Sequence, residues 1–106
     1  MSQALRVGLR LRSQVCSTEV IIVRVADVSL TVTCGGQPMI AFGEAADPAL
    51  VLDDQLADGS EIGKRYSWAD GSESIEVLVT KAGKGSLAVG GVRLVEAAAK
   101  ALPASD

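Results

Sequence analysis

The chain has 106 residues, with 10 basic and 13 acidic side chains, no histidine and 48% hydrophobic residues. That is enough for a single domain over residues 1–106 with a core of its own, and too apolar for a disordered tail. A net charge of -3 argues against nucleic acid, whose phosphates call for a basic face, and the missing imidazole excludes Ser–His–Asp and Cys–His catalysis and every histidine-ligated zinc site.

Arg6, Arg10 and Arg12 interrupt the start, so no signal-peptide core reads there. No stretch approaches the ~18 apolar residues of a membrane span. The expectation is a cytoplasmic protein without a membrane partner, in which Cys16 and Cys34 are reduced thiols; in a secreted chain the same pair reads as one disulfide. Leu5, Val7, Leu9 and Leu11 alternate with Arg6, Gly8, Arg10 and Arg12, which predicts a strand with one apolar face. Val20 to Val23, with Val25, is a β-branched run that reads as a central strand. Val28, Leu30, Val32 and Cys34 alternate with Ser29, Thr31 and Thr33. The short link Ala26-Asp27 predicts a hairpin between these two runs, with Val25 by Val28, Val23 by Leu30 and Ile21 by Val32.

Residues 35–63 are irregular. Asp47-Pro48 reads as a helix start and predicts a short helical turn over 48–56, with a strand at 50–52 as the competing reading. The last third is a meander. Lys64–Trp68 and Glu73–Thr80 flank Asp70-Gly71, a hairpin signal that sets Arg65 opposite Glu76 and Tyr66 opposite Ile75. Gly90-Gly91 predicts a second tight turn, with Val89 by Val92 and Leu87 by Leu94. Residues 96–102 are alanine-rich, with Glu96 and Lys100 four apart, and read as a helical turn stopped by Pro103. The expected fold is all-β, a small antiparallel barrel or sandwich of six to seven strands.

The densest local signal is Ser13-Gln14-Val15-Cys16 followed by Thr33-Cys34-Gly35-Gly36-Gln37-Pro38-Met39. Over residues 6–42 this resembles the rubredoxin-like iron knuckle of desulforedoxins, in which a Cys-x-x-Cys pair and a Cys-Cys-Gly-x-Pro-Met segment supply four thiolates. Cys16 and Cys34 match two of the four positions; Ser13 and Thr33 stand near the other two. The resemblance implies a hairpin that kept its shape and lost the metal, so no cofactor is expected. Read from the residues alone, the two cysteines are ordinary small buried thiols, a disulfide or redox pair, or metal ligands, and they approach each other only if 13–18 and 35–38 are turns at one end of the sheet.

Thr80-Lys81-Ala82-Gly83-Lys84-Gly85-Ser86 lacks the first glycine of a phosphate loop and precedes a strand, so a plain loop is the simpler reading, with Lys81 and Lys84 as anion-binding candidates. Asp53, Asp54, Asp58 and Glu61 do not have calcium-loop spacing. Tyr66 and Trp68 share one face of a strand, as core or as an anchor for a partner. The arginine-rich start and the acidic 44–61 segment suggest internal pairing or self-association, with Arg10 and Arg12 on an open Leu5–Arg12 edge. The function these features indicate is a small non-enzymatic accessory module that contacts another protein or itself as a homodimer. The alternatives are a thiol redox or metal-binding protein using Cys16 and Cys34, and a small anionic-ligand binder using Lys81 and Lys84.

Overall fold

The computed structural model describes residues 5–26, 31–70, 73–90 and 92–96. Ten strands form among them: β1 (Arg10–Arg12), β2 (Glu19–Val25), β3 (Val32–Cys34), β4 (Gln37–Pro38), β5 (Ile40–Ala41), β6 (Arg65–Asp70), β7 (Glu73–Lys81), β8 (Leu87–Val89), β9 (Val92–Arg93) and β10 (Val95–Glu96). They make a six-stranded sheet in the order β10-β6-β7-β2-β1-β5 and a four-stranded sheet in the order β4-β3-β8-β9, antiparallel throughout. Residues 37–41 leave the small sheet as β4 and enter the large one as β5, passing through buried Met39; residues 92–96 do the same as β9 and β10 through buried Leu94. Strands that change sheet at a corner hold two sheets face to face as a sandwich. The corners also explain why there are more and shorter strands than the six or seven expected.

The core lies between the sheets. Leu11, Val20, Ile22, Ile75, Val77 and Val79 come from the large sheet, and Val32, Cys34, Leu87 and Val89 from the small one. β2 and β7 form the longest ladder, with Val20 facing Val79 and Ile22 facing Val77. The expected hairpin between the 20–25 and 28–34 runs does not form. β2 has β1 on one side and β7 on the other, so no edge is left for β3; Val32 faces Val89 and Cys34 faces Leu87 instead. A β-branched run apolar on both faces buries more surface in the middle of a wide sheet than in a two-stranded ribbon. Residues 27–30, which carry part of that expected pairing, lie outside the described residues.

The β6–β7 hairpin forms, but its register is displaced. Arg65 faces Leu78 and Tyr66 faces Val77, and the ladder runs on to Asp70 facing Glu73; residues 71–72 lie outside the described residues. A displacement of two keeps every side chain on its expected face, and Arg65 still reaches Glu76 diagonally at 3.5 Å. The β8–β9 hairpin has the expected register: Val89 faces Val92, the Leu94 N–H donates to the Leu87 carbonyl at 2.9 Å, and Gly90 takes φ +58. Gly91 lies outside the described residues.

The strand read over 5–12 is reduced to β1. Val7 and Gly8 form a turn, and the Gly8 N–H donates to the Ile22 carbonyl at 2.8 Å. The turn keeps Leu5, Leu9 and Leu11 in the core and leaves Val7 64% exposed. β1 lies between β2 and β5, so it is not the open edge that the sequence suggested. In the irregular segment the Asp47 carboxylate accepts from the Ala49 N–H at 2.9 Å and closes a turn at Pro48. One turn of 3-10 helix follows at Asp54–Leu56, capped by Asp53. No strand forms at 50–52. At the other end Val95 and Glu96 are strand rather than helix, and Glu96 pairs with Lys64 at 3.0 Å; residues 97–102 lie outside the described residues.

Candidate functional site

Three loops meet where the sheets open at one end. Residues 13–18 link β1 to β2, and the Ser13 N–H closes them on the Thr18 carbonyl at 2.9 Å. Gly35 and Gly36 turn β3 into β4 with φ +64 and +88. Residues 82–86 lead from β7 to β8. The Gly35 N–H donates to the Ser86 carbonyl at 3.0 Å, the Ser86 N–H to the Leu56 carbonyl at 2.7 Å, and the Asp53 N–H to the Gly35 carbonyl at 2.9 Å. The loops are therefore one hydrogen-bonded unit, to which the 53–56 turn also belongs.

Cys16 and Cys34 come together inside this unit, with their sulfurs 3.7 Å apart. Cys34 ends β3 and is fully buried, whereas Cys16 sits in the first loop and is half-buried. Ser13 shapes that loop, because its hydroxyl accepts from the backbone N–H of both Val15 and Cys16 at 3.1 Å. The Cys16 thiol donates to the same hydroxyl at 3.3 Å. The Thr18 hydroxyl lies 3.2 Å from the Cys16 sulfur on another side, and the Gly85 N–H donates to that sulfur at 3.3 Å.

Glycine is required where the loops close over the sulfurs. A Cβ at Gly85 would stand 2.7 Å from the Cys34 sulfur and 2.8 Å from the Gly35 nitrogen, and one at Gly83 would collide with the backbone and hydroxyl of Thr18.

The two thiols are electrostatically unlike. Burial alone would push Cys16 up, but the hydrogen bonds from Ser13, Thr18 and the Gly85 N–H stabilise its thiolate and bring it down to about 7. Burial, reinforced by the neighbouring Cys16 charge, pushes Cys34 up to about 12. At neutral pH the outer sulfur is substantially thiolate and the inner one is thiol.

The knuckle resemblance does not extend to the donors that iron needs. Ser13 holds its own loop, and the Thr33 hydroxyl donates to the Ala88 carbonyl at 3.3 Å. That leaves two sulfurs where four thiolates hold iron.

The remaining candidates lie elsewhere. Lys81 ends β7 opposite Glu19 and Lys84 sits in the 82–86 loop, both exposed. Tyr66 and Trp68 pack against the core, and the Tyr66 hydroxyl accepts from the Glu61 N–H at 3.1 Å. Arg10 stacks over the Phe42 ring at 4.4 Å, and Arg12 donates to the Glu44 carbonyl, so Arg12 engages the start of the acidic segment within its own chain. Asp53 caps the 3-10 turn and Asp58 pairs with Arg93.

Thr18, Gly85 and the cradling role of Ser13 were not read from the sequence. The signal was present in Ser13-x-x-Cys16-x-Thr18, a cysteine flanked at short range by two hydroxyls in a loop. Comparison of the chain with protein-family models, curated proteins and solved structures gave no match.

Proposed function

We propose that the protein is a thiol–disulfide redox module whose working group is the Cys16–Cys34 pair. The observation that carries this reading is the 3.7 Å approach of a half-buried sulfur and a fully buried one at the meeting point of three loops. A disulfide needs about 2.05 Å between sulfurs, a closure that side-chain rotation and a small loop movement supply. The roles follow from exposure and charge. The Cys16 thiolate attacks one sulfur of a disulfide of a low-molecular-weight or protein thiol and expels the first thiolate. Cys34 then gives up its proton and attacks the Cys16 sulfur, which expels the second. One external disulfide becomes two thiols and the protein dithiol becomes a disulfide, so electrons and protons balance.

The test is oxidised glutathione added to the reduced protein. Wild type should lose both free thiols and two hydrogens of mass. Cys34→Ala should stop at one glutathione adduct on Cys16, and Cys16→Ser should leave Cys34 unmodified. Wild type that stops at the adduct and keeps a free Cys34 would defeat the reading.

The contact-module reading retains one observation. Val92 on β9 and Val95 on β10, both on edge strands, are 56% and 65% exposed. Sedimentation of wild type beside Val95→Glu tests it, and a monomer at high micromolar concentration in both removes self-association.

A further inference from the structure

Next to the dithiol lies a cleft of about 200 Å³ whose walls no part of the redox chemistry uses. Its inner surface carries Ser60 and Ser86, both buried, and Leu87 and Leu94 supply an apolar wall. Arg93 and Asp58, an ion pair, line it too, and Arg93 is further fixed by the Gln55 carbonyl at 2.6 Å. The Ser86 hydroxyl accepts from the Asp58 N–H at 2.9 Å and the Tyr66 hydroxyl from the Glu61 N–H, which leaves both hydrogens for another acceptor. The cleft thus combines hydroxyl donors, one cation, one anion and a short apolar wall, in a volume below the usual range for drug-sized ligands.

The cleft is also joined to the sulfurs. The Ser60 hydroxyl is 3.5 Å from the Thr18 hydroxyl, which is 3.2 Å from the Cys16 sulfur. Ser86 follows Gly85, whose N–H donates to that sulfur, and the Ser60 N–H donates to the Gly83 carbonyl at 3.2 Å. We propose that this cleft binds a small zwitterion of the α-amino-acid class, and that closing the Cys16–Cys34 disulfide tightens the binding through the Thr18–Ser60 hydroxyl pair.

The ligand class follows from charge. A net anion would gain Arg93 but meet Asp58, and a net cation the reverse. A zwitterion gives its carboxylate to Arg93 and the hydroxyls and its ammonium to Asp58, replacing an exposed ion pair that contributes little. The coupling follows from hydrogen count. Facing a thiolate, Thr18 turns its hydrogen to Cys16, so its oxygen accepts from Ser60 and occupies the Ser60 hydrogen. A disulfide sulfur is a weak acceptor. Thr18 then donates to Ser60, and the Ser60 hydrogen is released for the ligand carboxylate. One such bond is worth about a fivefold change in affinity. By linkage a bound ligand favours the disulfide by the same factor. The coupling rests on the redox reading above, whereas the cleft does not.

Alanine and valine, with acetate and methylammonium as single-charge controls, are titrated while amide chemical shifts at Gly59, Ser60, Leu87 and Leu94 are followed. The proteins are reduced wild type, oxidised wild type and Cys16→Ser/Cys34→Ser. Saturable shifts with the amino acids, weakened at least tenfold in Arg93→Gln and Asp58→Asn and about fivefold tighter in the oxidised form, support the proposal; Thr18→Val should abolish the redox difference. No localised saturation in any form overturns the cleft. Acetate binding as tightly as alanine overturns the ligand class. Equal affinity in the two oxidation states overturns the coupling. A wild type that never closes its disulfide removes the redox reading and the coupling together, while the double serine variant still decides the cleft.

Discussion

In the β2–β7 ladder, Val20 meets Val79 and Ile22 meets Val77, neither strand contains a glycine, and the buried groups are hydrocarbon. Around Cys16 the arrangement is inverted: three short loops, glycines at 83 and 85 packed against sulfur, hydroxyl and backbone, and buried Ser13 and Thr18. The ladder resists unfolding by burying area, which is not directional. The loop unit holds a thiolate by placing donors, and a misplacement of a few tenths of an ångström costs the hydrogen bond before it costs the fold. Stability and chemistry are thus largely carried by different parts of a small domain.

The largest expected effect sharpens that separation. Ile22→Ala empties the centre of the ladder and should lower unfolding free energy by about 3 kcal/mol, measured by denaturant titration. The pH at which Cys16 alkylates at half its maximal rate should stay near 7. A shift of that midpoint by a full unit would mean the loops take their geometry from the ladder, and the separation would fail.

Gly83→Ala tests the other side. Its new Cβ meets the backbone of Thr18 as well as its hydroxyl, so the loop must move. The stability loss should be smaller, about 2 kcal/mol, but Cys16 should become harder to ionise because Thr18 leaves its sulfur. Unchanged alkylation in a destabilised Gly83→Ala would show that Thr18 does not hold the thiolate. Gly90→Val is the control outside both regions. A Cβ there meets nothing within 4 Å, so only the positive φ opposes it, and the cost should be about 1 kcal/mol with no change at Cys16.

The ladders were legible where the signal is local. Gly90 sits between runs whose apolar residues match outward, and that hairpin formed in the expected register. The β6–β7 hairpin was found but displaced by two, because registers two residues apart give the same facial pattern and only packing chooses between them. The pairing of β2 was not legible: a strand apolar on both faces does not say which distant strands cover it, and Ala26-Asp27 made the nearest run look like the partner. For the site, the sequence pointed at Cys16 and Cys34, and at the condition that both flanking loops be turns at one end. It could not supply Gly85, whose N–H reaches Cys16 across 69 positions of chain.

The smallest effect distinguishes the two sulfurs by sign. Cys16 is depressed from its ordinary value of 9.0 to about 7 in the folded protein. The stability it contributes is therefore fully present above pH 9 and is lost as pH falls toward 7. Cys34 is raised from 9.0 to about 12, so its contribution is complete below pH 9 and is lost as pH rises toward 12. Together they place the stability maximum of the reduced protein, as far as these thiols decide it, near pH 9. Closing the disulfide removes both titrations, so the reduced-minus-oxidised difference in melting temperature should rise from pH 7 to 9 and fall beyond it. Thr18→Val removes a donor from both sulfurs: Cys16 loses part of what holds it down, and Cys34, still buried, is pushed further up, so the variant should flatten the rise and keep the fall. If both limbs flatten equally, Thr18 stabilises the loop unit as a whole, and the division of labour between an outer thiolate and an inner thiol would have to be abandoned.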